Sequence, residues 1–258
     1  MSQALHAEWT KLRTTPGPGW LLAAAVAATI AVSALAAGAT RCPAGIACPV
    51  DTAKLSLTGI DLGQAVVAIL GVLVISGEYS TGMIRTTLTA MPGRAAVLAA
   101  KAAVLAGLVL AAGTLAVLGS LLAGRLLLPG HGFTAARGFP PLSLADGPVL
   151  RATAGSVLYL ALIALLSLGI ATAIRDSAAA IGTVLGLLYL FPIIAQLVDP
   201  HWYRHLEQIG PMTAGLAIQA TTGLHSLPIS PWAGLGVLAA WAAAALLAGY
   251  LLLRVRDA

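Results

Sequence analysis

Charge is scarce in this chain. Only 9% of its 258 residues are Asp, Glu, Lys or Arg. A soluble domain carries about a quarter, so this sequence cannot cover itself with an ordinary wetted surface. Cysteine is almost missing as well: two residues with no histidine beside them are too few for a zinc site. No glycine-rich loop ends in Gly-Lys-Ser/Thr, so the chain has no cradle for ATP phosphates. No His-Glu-x-x-His pair occurs, and His6, His131, His201, His205 and His225 fall in tails and expected loops. His201 and His205 have i, i+4 spacing, but two ligands fit an ordinary surface turn better than a metal centre. The apolar stretches hold no paired carboxylates for general acid–base work, which argues against a membrane enzyme. The net charge of +5 and pI near 9.6 come from basic residues spread along the chain, without a basic patch and interleaved aromatics, so nucleic acid is not an expected partner. No catalytic residues, cofactor or metal are expected.

Long apolar runs are what is there. Apolar residues make up 59% of the chain and mean hydropathy is +0.94. A helix needs roughly 20 apolar residues to cross a bilayer core. Six stretches qualify: 19–38, 57–76, 97–124, 149–174, 178–198 and 232–253. The expected fold is an all-α integral membrane protein, a single domain over 1–258. Residues 1–18, with Glu8, Lys11 and Arg13, are too polar to open a signal peptide cleanly, and the first span reads as retained. Leu5, Trp9 and Leu12 share one face of a short amphipathic helix there. This is read as an interfacial elbow, because tryptophan suits the headgroup layer. It leads into the first span through Pro16, Gly17, Pro18 and Gly19.

Six spans put both termini on one side. With the termini inside, Lys11, Arg13, Arg85, Arg94, Lys101, Arg175, Arg254 and Arg256 lie inside, while Arg41, Lys54, Arg125, Arg137, Arg151 and Arg204 lie outside. Eight against six is a shallow bias, but Arg254 and Arg256 directly after the last span favour termini inside, with residues 254–258 a cytoplasmic tail. Cys42 and Cys48 then sit outside, where a disulfide or two separate thiols remain open readings. Arginine in excess of lysine, with abundant alanine, suggests a GC-rich bacterial genome. Only 175–177 join the fourth and fifth spans, which predicts a tight hairpin. Residues 125–148 read as an exposed loop. The stretch 211–222 reads as a helix too short to span, lying on the surface or dipping back into the bilayer.

Between the second and third apolar stretches runs a polar segment, Ser76 to Arg94, with a helical stripe of Ile84, Leu88 and Met91. Arg85 and Thr89 face the other way, Pro92 stops the helix, and Arg94 and Lys101 follow at the expected headgroup depth. Such a segment, tied at both ends to spanning helices, suits passing movement between a soluble partner and the membrane. Asp61 lies one turn into the second span. It either lines a polar pathway with Gln64 or caps the start of its helix, and the cap is the simpler reading. Pairs of glycines four apart, Gly59/Gly63 and Gly182/Gly186, would let helices approach closely.

At this point the chain resembles the permease subunits of type-2 ABC exporters, particularly the small six-span permeases of actinobacteria. The resemblance runs over nearly the whole length. Its specific elements are the amphipathic start from Glu8 to Arg13, the Glu, Gly, Leu and Pro-x-Arg positions Glu78, Gly82, Leu88, Pro92 and Arg94, and the long outer segment before the last span. The resemblance implies a cytoplasmic coupling helix over 79–91, with Glu78, Tyr79, Gly82, Ile84, Arg85, Leu88 and Met91 as the residues that meet the ATPase. It implies a pathway bordered by spans two and five, which places Asp61, Gln64 and Gln196 near it. Its expected partners are a separate ATP-binding cassette ATPase, a second permease copy or sister permease, and membrane lipid. Its expected location is the bacterial plasma membrane, with both termini cytoplasmic. Spans rich in Ala, Leu, Val and Gly favour an amphipathic or hydrophobic cargo, such as a drug, antibiotic or lipid-like molecule. The alternative is a non-transporting anchor or sensor subunit on the same fold.

Overall fold

A computed structural model describes residues 9–10, 16–43, 48–83, 93–196 and 200–256. Its helices are α1 (Pro16–Ala39), α2 (Thr52–Ser56), α3 (Ile60–Ser80), α4 (Arg94–Leu127), α5 (Gly147–Ile174), α6 (Ser177–Leu185), α7 (Phe191–Gln196), α8 (Pro200–Ile209), α9 (Pro211–Leu216) and α10 (Pro231–Arg256). No strand occurs among the described residues. Six helices are long and apolar enough to cross a membrane: Gly17–Ala39, Ile60–Ser80, Arg94–His131, Gly147–Ile174, Ser177–Ile194 and Pro231–Val255. The protein has the architecture of a multi-pass membrane protein. Of the expected elbow, only Trp9 and Thr10 are described, both helical. The expected coupling helix, with Ile84, Arg85, Leu88 and Met91, lies outside the described residues apart from its first positions.

α5 is the axis of the bundle. Its most apolar stretch is 67% buried and that of α3 is 56% buried, against 28% or less in the other four spans. α10, α3 and α4 all pack on α5, while α1 fills the groove between α3 and α4. Backbone-to-backbone approach makes this possible. A Cβ on Gly169 would meet the backbone of Ala245 and Leu246 at 2.5 Å, and one on Gly249 would meet the Gly169 carbonyl at 2.8 Å, so only glycine allows α5 and α10 to cross so closely. Gly59 and Gly63 do the same for α3 against Thr29 of α1, whereas Gly182 and Gly186 face open space. The first glycine pair is a packing seam and the second is not.

The turn between α5 and α6 uses two residues. Arg175 adopts φ 68°, the left-handed conformation that usually calls for glycine, and Asp176 caps α6 by accepting from the Ala179 N–H at 2.8 Å. The sixth helix starts as α, widens into a π turn over Gly186–Leu190, and continues as α7.

One loop departs from the sequence reading, and another takes one of the two courses left open for it. Residues 125–148 do not form a plain exposed loop. They fold through 3-10 turns at Leu128–His131 and Ala135–Arg137, and Phe133 is buried with Leu128, Ala37 and Cys42 in a small second core. Those apolar side chains outweigh the Gly and Pro content that suggested exposure. Cys42 and Cys48 are disulfide-bonded, and this loop holds the first of them: the His131 carbonyl accepts from Cys42 N–H at 2.9 Å, and Arg137 donates to the Cys42 carbonyl at 2.8 Å. The other carries α9 and the 3-10 turn Ala217–Gln219, which sit inside the bundle between α5 and α10, the inward of the two courses left open. Gly215 lies against the Tyr159 ring and Leu238, and Ile218 lies against Gly155. Tyr159 is twelve residues into α5, roughly 18 Å from its start. The segment therefore dips deep alongside a spanning helix.

Candidate functional site

Four helix ends are tied together opposite the disulfide. At the end of α3, Glu78 is 6% exposed and accepts from Lys101 Nζ of α4 at 2.6 Å. Lys101 is itself 1% exposed. Two charges this deep are costly to desolvate and persist only as a hydrogen-bonded pair. The neighbouring Tyr79 presents its ring to the Arg175 guanidinium, 5.4 Å from the ring centre, which joins α3 to the end of α5. Arg175 also reaches the Leu252 carbonyl of α10 at 3.4 Å. Arg94, at the first residue of α4, donates to the carbonyls of Leu253 and Arg254 at 2.6 and 3.1 Å. The last carbonyls of a helix lack partners within it, so guanidinium groups are well suited to hold them. The result is a rigid ring of helix ends, α3 to α4, α3 to α5, and both α4 and α5 to α10. The segment 84–92 enters and leaves through two members of that ring, α3 and α4.

A second polar cluster lies in the core. Gln64 of α3 is fully buried, accepts from the Tyr159 hydroxyl of α5, and donates from Nε2 to Met212 Sδ of α9 at 3.3 Å. Tyr189, carried on the π turn, donates its hydroxyl to the backbone carbonyl of Asp61. A π turn shifts the register of the side chains after it, which lets Tyr189 face α3. Among the described residues Gln219 Nε2 and Ser156 Oγ are buried without partners, on the segments that pack together beside this cluster.

At the disulfide end Asp51 works twice. Its carboxylate caps α2 through the N–H groups of Ala53 and Lys54, both at 3.1 Å, and accepts from the Thr221 hydroxyl at 2.7 Å and the Thr222 N–H at 3.0 Å. Burial pushes this carboxyl up, but the bonds from Thr221, Lys54 and Thr222 outweigh it and hold the group below the usual carboxylate value. With Arg151 donating to the Ala220 carbonyl, it clamps the segment that follows α9 onto the bundle.

The structure thus brings Asp61 and Gln64 together with Tyr159 and Tyr189, and leaves Gln196 exposed at the last residue of α7. It places Glu78 and Tyr79 inside the last turn of α3, and Gly82, with φ 72°, just beyond it. Lys101, expected at headgroup depth, is buried within the bundle, where it pairs with Glu78. The sequence reading missed Lys101, Arg175, Tyr159 and Tyr189. A lysine two turns inside an apolar helix was a usable signal, since it requires a buried partner. The tyrosines gave none, because their roles depend on a π turn and on α9. Among the described residues, no three His, Cys, Asp or Glu side chains gather to hold a metal. No protein-family model and no curated protein matches the chain.

Proposed function

We propose that the chain is the membrane-spanning permease subunit of an ATP-driven exporter of the type-2 ABC kind. Two such subunits, identical or paired with a sister permease, enclose a pathway in the bacterial plasma membrane. Each docks a separate ATPase on the face that carries the termini and segment 84–92. ATP binding moves that segment, and the movement shifts the spans between closed and open arrangements. An amphipathic or hydrophobic cargo suits the apolar spans.

One observation carries this reading: the Glu78–Lys101 ion pair joins the two helices that flank segment 84–92. A force applied to the segment reaches α3 and α4 together, and Arg175 and Arg94 pass it to α5 and α10. The absence of a phosphate loop in the sequence supports an ATPase on another chain. Buried Gln64 and Tyr159 with half-buried Tyr189 support a polar stretch between spans two, four and five.

The test is cargo export in inverted vesicles containing the protein with an ATP-binding cassette ATPase that copurifies with it. Arg85→Ala with Leu88→Ala is expected to cut ATP-driven export at least tenfold while the protein still inserts. Unchanged export in that variant removes the coupling role. Copurification with the ATPase but no export of any amphiphile assigns the chain to an anchor or sensor instead.

A further inference from the structure

At the end of the bundle opposite the disulfide lies a cleft to which the transport reading assigns no ligand. It measures about 340 Å³ and is lined by Gly93, Arg94 and Ala95 at the start of α4 and by Tyr250 and Arg254 near the end of α10. A water molecule takes up about 30 Å³ of liquid, so the cleft admits a group as large as a phosphate ester. Both charged lining residues are arginines. Arg94 is pinned by the Leu253 and Arg254 carbonyls, and Arg254 stands over the Tyr250 ring, 5.6 Å from its centre. Ring stacking and the carbonyl bonds pre-arrange two planar guanidinium groups, whose forked donors match phosphate oxygens. Two carboxylates described near this end, Glu78 and Asp176, bond to Lys101 and to the first turn of α6. Neither lines the cleft.

Position distinguishes a lipid from a free anion. The cleft lies where two spanning helices end. Leading away from it along α10, Leu251 and Leu247 are 57% and 61% exposed and one turn apart, so they form an apolar track beneath the charged groups. A free phosphate would use the arginines alone, whereas a phospholipid uses both features.

We propose that the cleft between the start of α4 and the end of α10 binds the headgroup phosphate of an anionic phospholipid, whose acyl chains lie along Leu251 and Leu247. The bound lipid bridges α4 and α10 at the ring of helix ends. This inference does not depend on the chain being a transporter.

The test is native mass spectrometry of the full-length protein in neutral detergent, titrated with phosphatidylglycerol or phosphatidylcholine. Phosphatidylglycerol is expected to bind at least fivefold more tightly. Arg254→Gln is expected to lose about that factor, the worth of one cation at a membrane surface, and Arg254→Lys, which keeps the charge but not the stacked fork, should restore only part of it. Tyr250→Leu, with all charges intact, should weaken binding several-fold, and Arg125→Gln at the opposite end should leave it unchanged. Equal binding of the two lipids, or undiminished phosphatidylglycerol binding in both Arg254→Gln and Tyr250→Leu, overturns the site. Displacement of the lipid by millimolar inorganic phosphate overturns the lipid as its occupant.

Discussion

Lys101 and Glu78 form a costly pair, because both charges are buried and hydrogen-bonded to each other. Lys101→Met removes the cation that donates to the buried Glu78 carboxylate and is expected to destabilise the fold by about 3–5 kcal/mol. The double change Glu78→Leu with Lys101→Met should recover most of that loss. Thermal unfolding in detergent reads both, and a double variant no more stable than the single one contradicts the pairing. Asp51 offers a pH test at the other end. Its folded-state value is lowered, so the stability it confers is complete above the unfolded value near 4 and fades as pH falls through the folded value. Unfolding temperatures measured from pH 6 down to pH 3 should therefore fall more steeply for the natural protein than for Asp51→Asn. Parallel curves would show that the clamp on Thr221 and Thr222 contributes nothing.

At the scale of elements, glycine separates seams from bystanders. Gly169→Ala must push a methyl against the backbone of Ala245 and Leu246, which cannot rotate away, and is expected to cost 1–3 kcal/mol, about the usual penalty for overpacking. Gly182→Ala meets nothing within 4 Å and should be neutral or slightly stabilising. Equal effects in an unfolding assay would refute the close crossing of α5 and α10. The same comparison shows how far the sequence could be read. The spans were legible because a run of about 20 apolar residues has few other uses. The two-residue turn at Arg175 and Asp176 was legible because nothing polar separates α5 from α6 beyond it. Which glycine pair forms a seam was not, since Gly59/Gly63 and Gly182/Gly186 share one spacing and differ only in what stands opposite. The π turn and the inward course of α9 leave no periodic mark. Both are settled by tertiary contacts, Tyr189 to Asp61 and Gly215 to Tyr159. The burial of Lys101 was not legible for a related reason: its partner Glu78 stands on another helix.

Taken whole, the molecule is a bundle with a buried axis and a lightly covered rim. α5 and α3 are inside, while α1, α4, α6 and α10 turn apolar side chains such as Leu35, Leu115, Leu126 and Leu247 outward. One end is closed by the disulfide loop, the Phe133 core and the Asp51 clamp. The other gathers Arg94, Arg175 and Arg254 around the helix ends. On our proposal this second end faces the source of ATP and receives its force through segment 84–92. An Ile84→Cys variant places a single thiol in that segment, since Cys42 and Cys48 are bonded to each other. Labelling it with a membrane-impermeant maleimide is the most direct measurement. The account predicts no reaction in intact cells and full reaction in inverted vesicles. Labelling of intact cells from the outside would contradict it.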